Sequence, residues 1–330
     1  MSEIKIGVIG TGHLGNLHTK LFKQVSGCVV TGIYDIDENK AKQVAADHDV
    51  KCYESLDELF NDVEAVSIVA STSAHYELAM KSLEHGKHIF LEKPITATIE
   101  QGEEVVKLAK EKGLLVQVGH IERFNPALLS LEKYMLDPMF IQTDRLAQFN
   151  PRGTDVAVVL DLMIHDIDII LSLIKSEVKH VSASGVPVVS DTIDIANARI
   201  EFENGAVANV TASRISQKKM RKMRMFQRDT YIAVDFGSGV SEVFRLESPE
   251  NMGEGPLMSF GEIGVGDRKK LVVYEQPELK QVNALQHELQ LFVDAVTNNT
   301  QPVVSGGDGL RALKVAEIII AKIEESLARV

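Results

Sequence analysis

A chain of 330 residues is longer than one ordinary hydrophobic core supports, so two domains are expected. Hydrophobic residues at 45% and charged residues at 25% exclude a disordered chain, and 47 Asp and Glu against 35 Lys and Arg leave a formal net charge of -12. So acidic a surface repels phosphate backbones and anionic lipid, which argues against nucleic acid and membrane partners.

In chain order, residues 4–9 read as a first strand, 14–24 as a helix and 29–34 as a second strand. A helix at 38–48 follows, then apolar strands at 65–70, 88–91 and 114–118, with helical segments at 76–84 and 99–111 between them. Strand and helix in alternation with short connections predict a parallel sheet covered by helices on both faces. After Asn125-Pro126 the rhythm changes. Residues 156–174 have helical periodicity, and their Asp161, His165, Asp166 and Asp168 argue against a membrane span. Residues 200–203 and 206–213 flank Asn204-Gly205, a hairpin signal because both central turn residues are expected at positive φ. Further strands are predicted at 231–236 and 271–274, a long loop or hairpin tip at 248–266, and closing helices at 284–296 and 310–326, with Ser305 or Asp308 as cap. The expected architecture is an α/β Rossmann domain over residues 1–122 and an α+β domain with an open antiparallel sheet over 123–330.

Cys28 and Cys52 are the only cysteines, too few for a disulfide framework or a metal site, and no metal is expected. Met1 runs almost directly into the strand at 4–9 without a basic leader, so a cytoplasmic protein is expected.

Gly10-Thr11-Gly12-His13-Leu14-Gly15 stands where the first strand meets the first helix. Gly10 serves the tight turn, Gly12 the close approach of a pyrophosphate, and Gly15 the packing of helix on strand. The helix N-terminus adds N–H groups and partial positive charge for phosphates. Asp35, at the end of the second strand, is placed to accept from ribose hydroxyls and favours NAD. Lys40 and Lys42 nearby leave NADP open.

Oxidising an alcohol needs a group that takes the hydroxyl proton while the nicotinamide takes the hydride. Glu92-Lys93-Pro94 emerges from the strand at 88–91, with Lys93 the amine for that task and Glu92 a partner for ribose or carboxamide. Asp161 and His165 are four residues apart on one helical face, where a carboxylate can orient an imidazole. A buried histidine satisfied locally explains the same spacing equally well. His120, after the strand at 114–118, and Ser71 and His75, after the strand at 65–70, are candidates for the cofactor pocket. For His75 the alternative is a helix cap. The basic run Lys218-Lys219-Met220-Arg221-Lys222-Met223-Arg224 reads as a solvated strand face.

Taken together, the glycine turn, Glu92-Lys93-Pro94 and Asp161 through His165 resemble the glucose–fructose oxidoreductase, inositol dehydrogenase and rhizopine catabolism (Gfo/Idh/MocA) family over essentially the whole chain. The resemblance implies NAD- or NADP-dependent oxidation or reduction of sugars, inositols or nucleotide-sugars. It makes Lys93 and His165 the catalytic pair, with Asp161 beside them, and a homodimer or homotetramer through the second-domain sheet. His120-Ile121-Glu122-Arg123-Phe124-Asn125-Pro126 and the segment from Asp161 to Asp168 are similar to a branch that oxidises the third-carbon hydroxyl of UDP-N-acetylglucosamine-type sugars. Gln148-Phe149-Asn150-Pro151-Arg152 departs from that branch's proline-rich segment. The alternative reading is a non-catalytic NAD-binding sensor of the same fold. The sensor has no chemical need for Lys93, Asp161 and His165.

Overall fold

The computed structural model describes residues 3–150, 156–248, 258–266 and 269–329. They form two compact units, one of residues up to Ile121 joined by Val282–Lys314, the other of Glu122–Gln281 with residues 315–329. Residues 282–314 therefore belong with the first unit, whereas the sequence reading places everything after 122 in the second.

In the first unit, β1 (Ile4–Ile9), α1 (His13–Phe22), β2 (Cys28–Tyr34), α2 (Glu38–His48), β3 (Lys51–Cys52), α3 (Leu56–Asp62), β4 (Ala65–Ile68), α4 (Thr72–Glu84), β5 (His88–Glu92), α5 (Ile99–Lys112) and β6 (Val116–Gly119) follow in strict alternation. The strands form a parallel sheet in the order β3-β2-β1-β4-β5-β6, reversing direction of growth between β1 and β4. A ligand is expected at the carboxyl ends of the strands around that reversal. Near-continuous apolar strands such as β4 are buried on both faces. Helix α8 (Ala284–Asn298) covers part of this sheet, with Leu289, Phe292 and Val293 entering the cluster of Ile6, Val8, Phe22 and Phe90. Ser305 and Asp308 exchange hydrogen bonds at the start of α9 (Gly306–Leu327), so both of the predicted caps act together.

The second unit carries α6 (Pro126–Leu129), β7 (Phe140–Leu146), α7 (Ile164–Leu173), β8 (Val178–Val186), β9 (Ile195–Phe202), β10 (Val207–Ser213), β11 (Met220–Gln227), β12 (Thr230–Asp235), β13 (Val240–Glu247), β14 (Met258–Ile263) and β15 (Lys270–Glu275). Its sheet runs β14-β15-β13-β12-β11-β7-β10-β9-β8 and is antiparallel except where β7 meets β10. The expected antiparallel sheet is thus mixed at one pair. Part of the predicted loop at 248–266 is strand β14, paired with β15. The hairpin at Asn204-Gly205 forms with a three-residue loop: only Gly205 is left-handed, at φ 86°, and Asn204 Oδ1 accepts from the Ala206 N–H.

The loop between β8 and β9 is organised by a fully buried carboxylate. Asp194 accepts the N–H groups of Val188, Val189 and Ser190 and the Ser190 hydroxyl, at 2.7 to 3.0 Å, and stands 3.3 Å from Arg214 Nε. Burial alone raises its pKa, but these donors outweigh burial and hold the group well below the ordinary aspartate range. A depressed folded-state pKa stabilises the fold above the unfolded value of about 3.9 and loses that contribution as pH falls toward the folded value. Urea unfolding is accordingly expected to show a stability gap between wild type and Asp194→Asn that is widest near pH 7 and narrows below about pH 4. A gap that widens on acidification contradicts this.

Candidate functional site

Helix α1 starts directly over the end of β1 because two glycines let backbones touch. A Cβ on Gly15 would lie 1.9 Å from the Gly10 carbonyl oxygen, and one on Gly10, whose φ is 97°, would lie 2.4 Å from the Val69 carbonyl oxygen. Gly12 differs: nothing lies within 4 Å of a Cβ built there, so its hydrogen faces open space. It is the N-cap of α1 and has no side-chain cap. Helix geometry leaves the first amides without partners inside the helix, which makes this end a phosphate seat. His13 and Leu14, in the first turn, are exposed beside it.

Asp35 is gripped from three sides. Its Oδ2 accepts the Thr11 N–H at 2.6 Å and the Thr11 hydroxyl at 2.8 Å, and its Oδ1 accepts the Asp37 N–H at 2.9 Å. Partial burial pushes its pKa up, and these bonds with the Lys40 charge more than offset that, leaving a lowered pKa and a fixed anion. About four lone-pair sites minus these three leave one for a ribose hydroxyl. Thr11, expected among the cofactor-binding residues, orients Asp35 through its N–H and its hydroxyl. Lys42 pairs with Glu38 at 3.0 Å.

A cavity of about 510 Å³ opens here, lined by Gly10, Gly12, Asp35, Ile36, Val69 and Ser71 among others. Its volume is within the usual range of about 300–1,000 Å³ for small-ligand sites. An open glycine at a helix start, a fixed carboxylate and this cavity together fit the adenosine and pyrophosphate half of a dinucleotide. Ser71 stands at the N-cap position of α4 without a capping side-chain bond, its Oγ 3.1 Å from Ser73 Oγ.

Other predicted residues of the first unit lie outside the cavity lining. His75 sits within α4, not in the loop before it, and is buried with both ring nitrogens on backbone carbonyls, of Pro94 and Ala70. This corrects the capping alternative, because the ring stands inside the helix and Ser71 occupies the N-cap position. His120 is buried at the carboxyl end of β6. Glu92 is turned to His18, with Oε1 3.1 Å from Nε2, and Lys93 follows it, half-buried. The Lys93–Pro94 peptide is cis. His18 was not legible as a site residue; its only signal is its place one turn after Gly15 on α1.

In the second unit, Val159–Met163 is a π-helical turn leading into α7. Asp161 lies in that turn and His165 just beyond it, both half-buried. The wider turn makes four residues fall slightly short of a full circle instead of overshooting it, so the two remain on one side. Their neighbours are anchored. Arg145 on β7 grips Asp166 through Nε and Nη2 at 3.0 and 2.8 Å and Glu122 through Nη1 at 2.9 Å, and Arg123 grips Asp168 at 2.6 and 2.7 Å. The basic run is likewise paired, Arg221 with Glu122, Lys222 with Asp235 and Arg224 with Asp144. Pro151 and Arg152 lie outside the described residues.

Comparison with known proteins agrees with this geometry. Residues 4–120 match the model of the "Oxidoreductase family, NAD-binding Rossmann fold", and residues 137–234 match the "GFO/IDH/MocA C-terminal domain". The chain is 34% identical over 330 residues, all of both chains, to UDP-N-acetylglucosamine 3-dehydrogenase of Acidithiobacillus ferrooxidans. A solved structure of that name from the same organism superposes with a TM-score of 0.87 at 33% identity, covering 98% of this chain and 99% of that one. The scyllo-inositol 2-dehydrogenase (NAD(+)) of Bacillus subtilis is 32% identical over 234 residues, 65% of this chain and 68% of that relative. Among the described residues no helix is long and apolar enough to cross a membrane.

A 2′-phosphate placed beside the Asp35 carboxylate would meet a fixed negative charge. In Asp35→Ser, the Kd for NAD is expected to rise about tenfold and that for NADP to fall, read by calorimetry, about 1.4 kcal/mol per tenfold. Unchanged discrimination refutes the role.

Proposed function

The chain belongs to the Gfo/Idh/MocA family of NAD-binding oxidoreductases, and from that premise we propose that it oxidises the third-carbon hydroxyl of UDP-N-acetylglucosamine or a close nucleotide-sugar. The observation that carries the substrate is the end-to-end 34% identity to a dehydrogenase of that name. When bound, NAD supplies the oxidised nicotinamide that receives the hydride.

The chain's own residues divide the remaining work. The first amides of α1 and Gly12 seat the pyrophosphate, and Asp35 takes a ribose hydroxyl. Lys93, carried at the carboxyl end of β5, accepts the proton of the substrate hydroxyl. His165 is the second acid–base group, and Asp161, on the same side of its helix, holds the imidazole in one orientation. Arg145 and Arg123 fix the frame through Asp166 and Asp168, which are spent on those arginines and take no part in proton transfer.

The side-chain pattern of the second sheet supports a homodimer or homotetramer formed through it. Phe140, Phe226, Tyr231, Phe244 and Tyr274 meet ring to ring across neighbouring strands at 4.8 to 5.9 Å between centres, in edge-on, tilted and stacked pairs, and Phe226 is 42% exposed. Such a continuous aromatic band suits a self-complementary interface. The acidic chain and its unpaired cysteines, with the buried Cys28 thiol raised to about 11 by burial and the charge of Glu3, support a cytoplasmic protein.

The purified protein with NAD and UDP-N-acetylglucosamine is expected to generate reduced-nicotinamide absorbance, and Lys93→Ala and His165→Ala to lower kcat about 100-fold or more while the Kd for NAD changes less than about threefold. Turnover on myo-inositol but not on any nucleotide-sugar moves the substrate class. A kcat within about threefold of wild type removes that residue from the chemistry.

A further inference from the structure

Two buried histidines converge on Glu92-Lys93-Pro94. His18 on α1 is fully buried, with Nε2 3.1 Å from Glu92 Oε1 and Nδ1 2.9 Å from Ser67 Oγ on β4. His75 on α4 is 1% exposed, with Nδ1 2.8 Å from the Pro94 carbonyl oxygen and Nε2 3.2 Å from that of Ala70. Gly119 on β6 closes the enclosure, since a Cβ there would stand 2.9 Å from the Glu92 carboxylate. Neither ring has a part in the proton transfer assigned above. Imidazoles kept in an apolar layer are held there by the hydrogen bonds they make.

We propose that His18 and His75 are positioning residues that clamp the chain on either side of Lys93, one through the Glu92 carboxylate and the other through the Pro94 carbonyl, so that the amine is presented in one place. The proposal rests on the reading of Lys93 as proton acceptor. The two rings work through opposite nitrogens. At His18, Nδ1 is paired with the Ser67 hydroxyl, and Nε2, buried 3.1 Å from Glu92 Oε1 without an aligned hydrogen bond, has that carboxylate as its acceptor in the clamp. At His75 both partners are carbonyls, which only accept. Burial lowers its pKa against the pull of those carbonyls and of Glu92, so the ring is neutral and has one N–H to give. The shorter contact puts that hydrogen on Nδ1, toward Pro94. A shift of about 1 Å at a reacting group can cost about 100-fold in rate, so a clamp of this kind has a measurable effect.

Amide side chains separate the two nitrogens. An asparagine nitrogen lies near the position of Nδ1, a glutamine nitrogen near that of Nε2. His75→Asn and His18→Gln therefore keep the donor that matters, whereas His75→Gln and His18→Asn lose it. The expected pattern is crossed: kcat falls about 10- to 100-fold in the two that lose the donor and stays within about threefold in the two that keep it. The Kd for NAD, by calorimetry, moves less than about threefold in all four. In the protein without cofactor, competitive labelling of Lys93 by acetic anhydride, read by peptide mass spectrometry across pH, changes only in the donor-losing pair. Equal losses at both amides, or one labelling profile for all four, overturns the clamp.

Nitrogen-15 NMR of the unaltered protein gives a check free of folding defects. The Nδ1–H form at His75 with the Nε2–H form at His18 supports the clamp, and the opposite form at either overturns it. The labelling arm also keeps the two readings apart: a crossed labelling pattern with a fully active Lys93→Ala sinks the catalytic assignment and leaves the clamp standing.

Discussion

The tightest constraint in the first unit is a contact between backbones. With the Gly10 carbonyl where a Cβ of residue 15 would stand, β1 must turn at once into α1, and the helix begins over the carboxyl edge of the sheet. Three consequences follow. The unpaired amides of the first turn face the same edge as the ends of β2 and β4. Thr11 is brought against Asp35, which turns a flexible carboxylate into a fixed one. His18, one turn further along α1, is carried down between β4 and β5 to meet Ser67 and Glu92. The open helix start, the fixed carboxylate and the His18–Glu92 contact thus descend from a single close approach.

The second unit obeys a different constraint, the pleat. Residues of β7 alternate between buried Ile141, Thr143 and Arg145 and less buried Phe140, Gln142 and Asp144, and the register carries that alternation across β11. On the buried side Arg145 meets Asp166 and Glu122, so the sheet holds α7 by charge as well as by packing. Removing one partner of such a set leaves a buried charge uncompensated, which costs about 3–5 kcal/mol. On the other side the aromatic band lies near one end of the strands, and the pairs Lys222–Asp235 and Arg224–Asp144 lie further along. Lys222 and Arg224 of the basic run are thus answered across neighbouring strands, and Arg221 is answered by Glu122.

The first unit was legible in the sequence because its signals are local. Apolar runs, glycine spacing and an acid at the end of the second strand each declare themselves within a few residues, and the strand order follows from alternation. Strand β3, two residues long, has no room for a pattern, and β14 lies in a glycine-rich stretch whose pairing with β15 is decided across the sheet. The return of α8 to the first unit is equally invisible, since it depends on Leu289 and Phe292 meeting residues more than 190 positions away. Periodicity likewise cannot tell a π turn from an α turn when both keep Asp161 and His165 on one side. The internal bonds of Thr11 and His75 were hidden for a common reason: a motif says which residues gather at a site, not which of them face inward to hold the others.

That distinction also decides how the ionisable residues from 161 to 168 divide. All carry side chains capable of proton transfer, and sequence alone ranks them only by helical face. In the structure Asp166 and Asp168 are almost wholly buried, each with both oxygens on an arginine fork. A carboxylate so bound presents an already satisfied pair of oxygens, and releasing it would strand a guanidinium in the interior. Asp161 and His165 keep part of their surface open to solvent and stand where the helix changes from π to α, a local irregularity that occurs often at functional sites. The half-buried pair therefore keeps side chains open for the proposed chemistry while the fully buried pair is committed to holding the helix, and under the same proposal Lys93 acts on the substrate with the histidines beneath it in support.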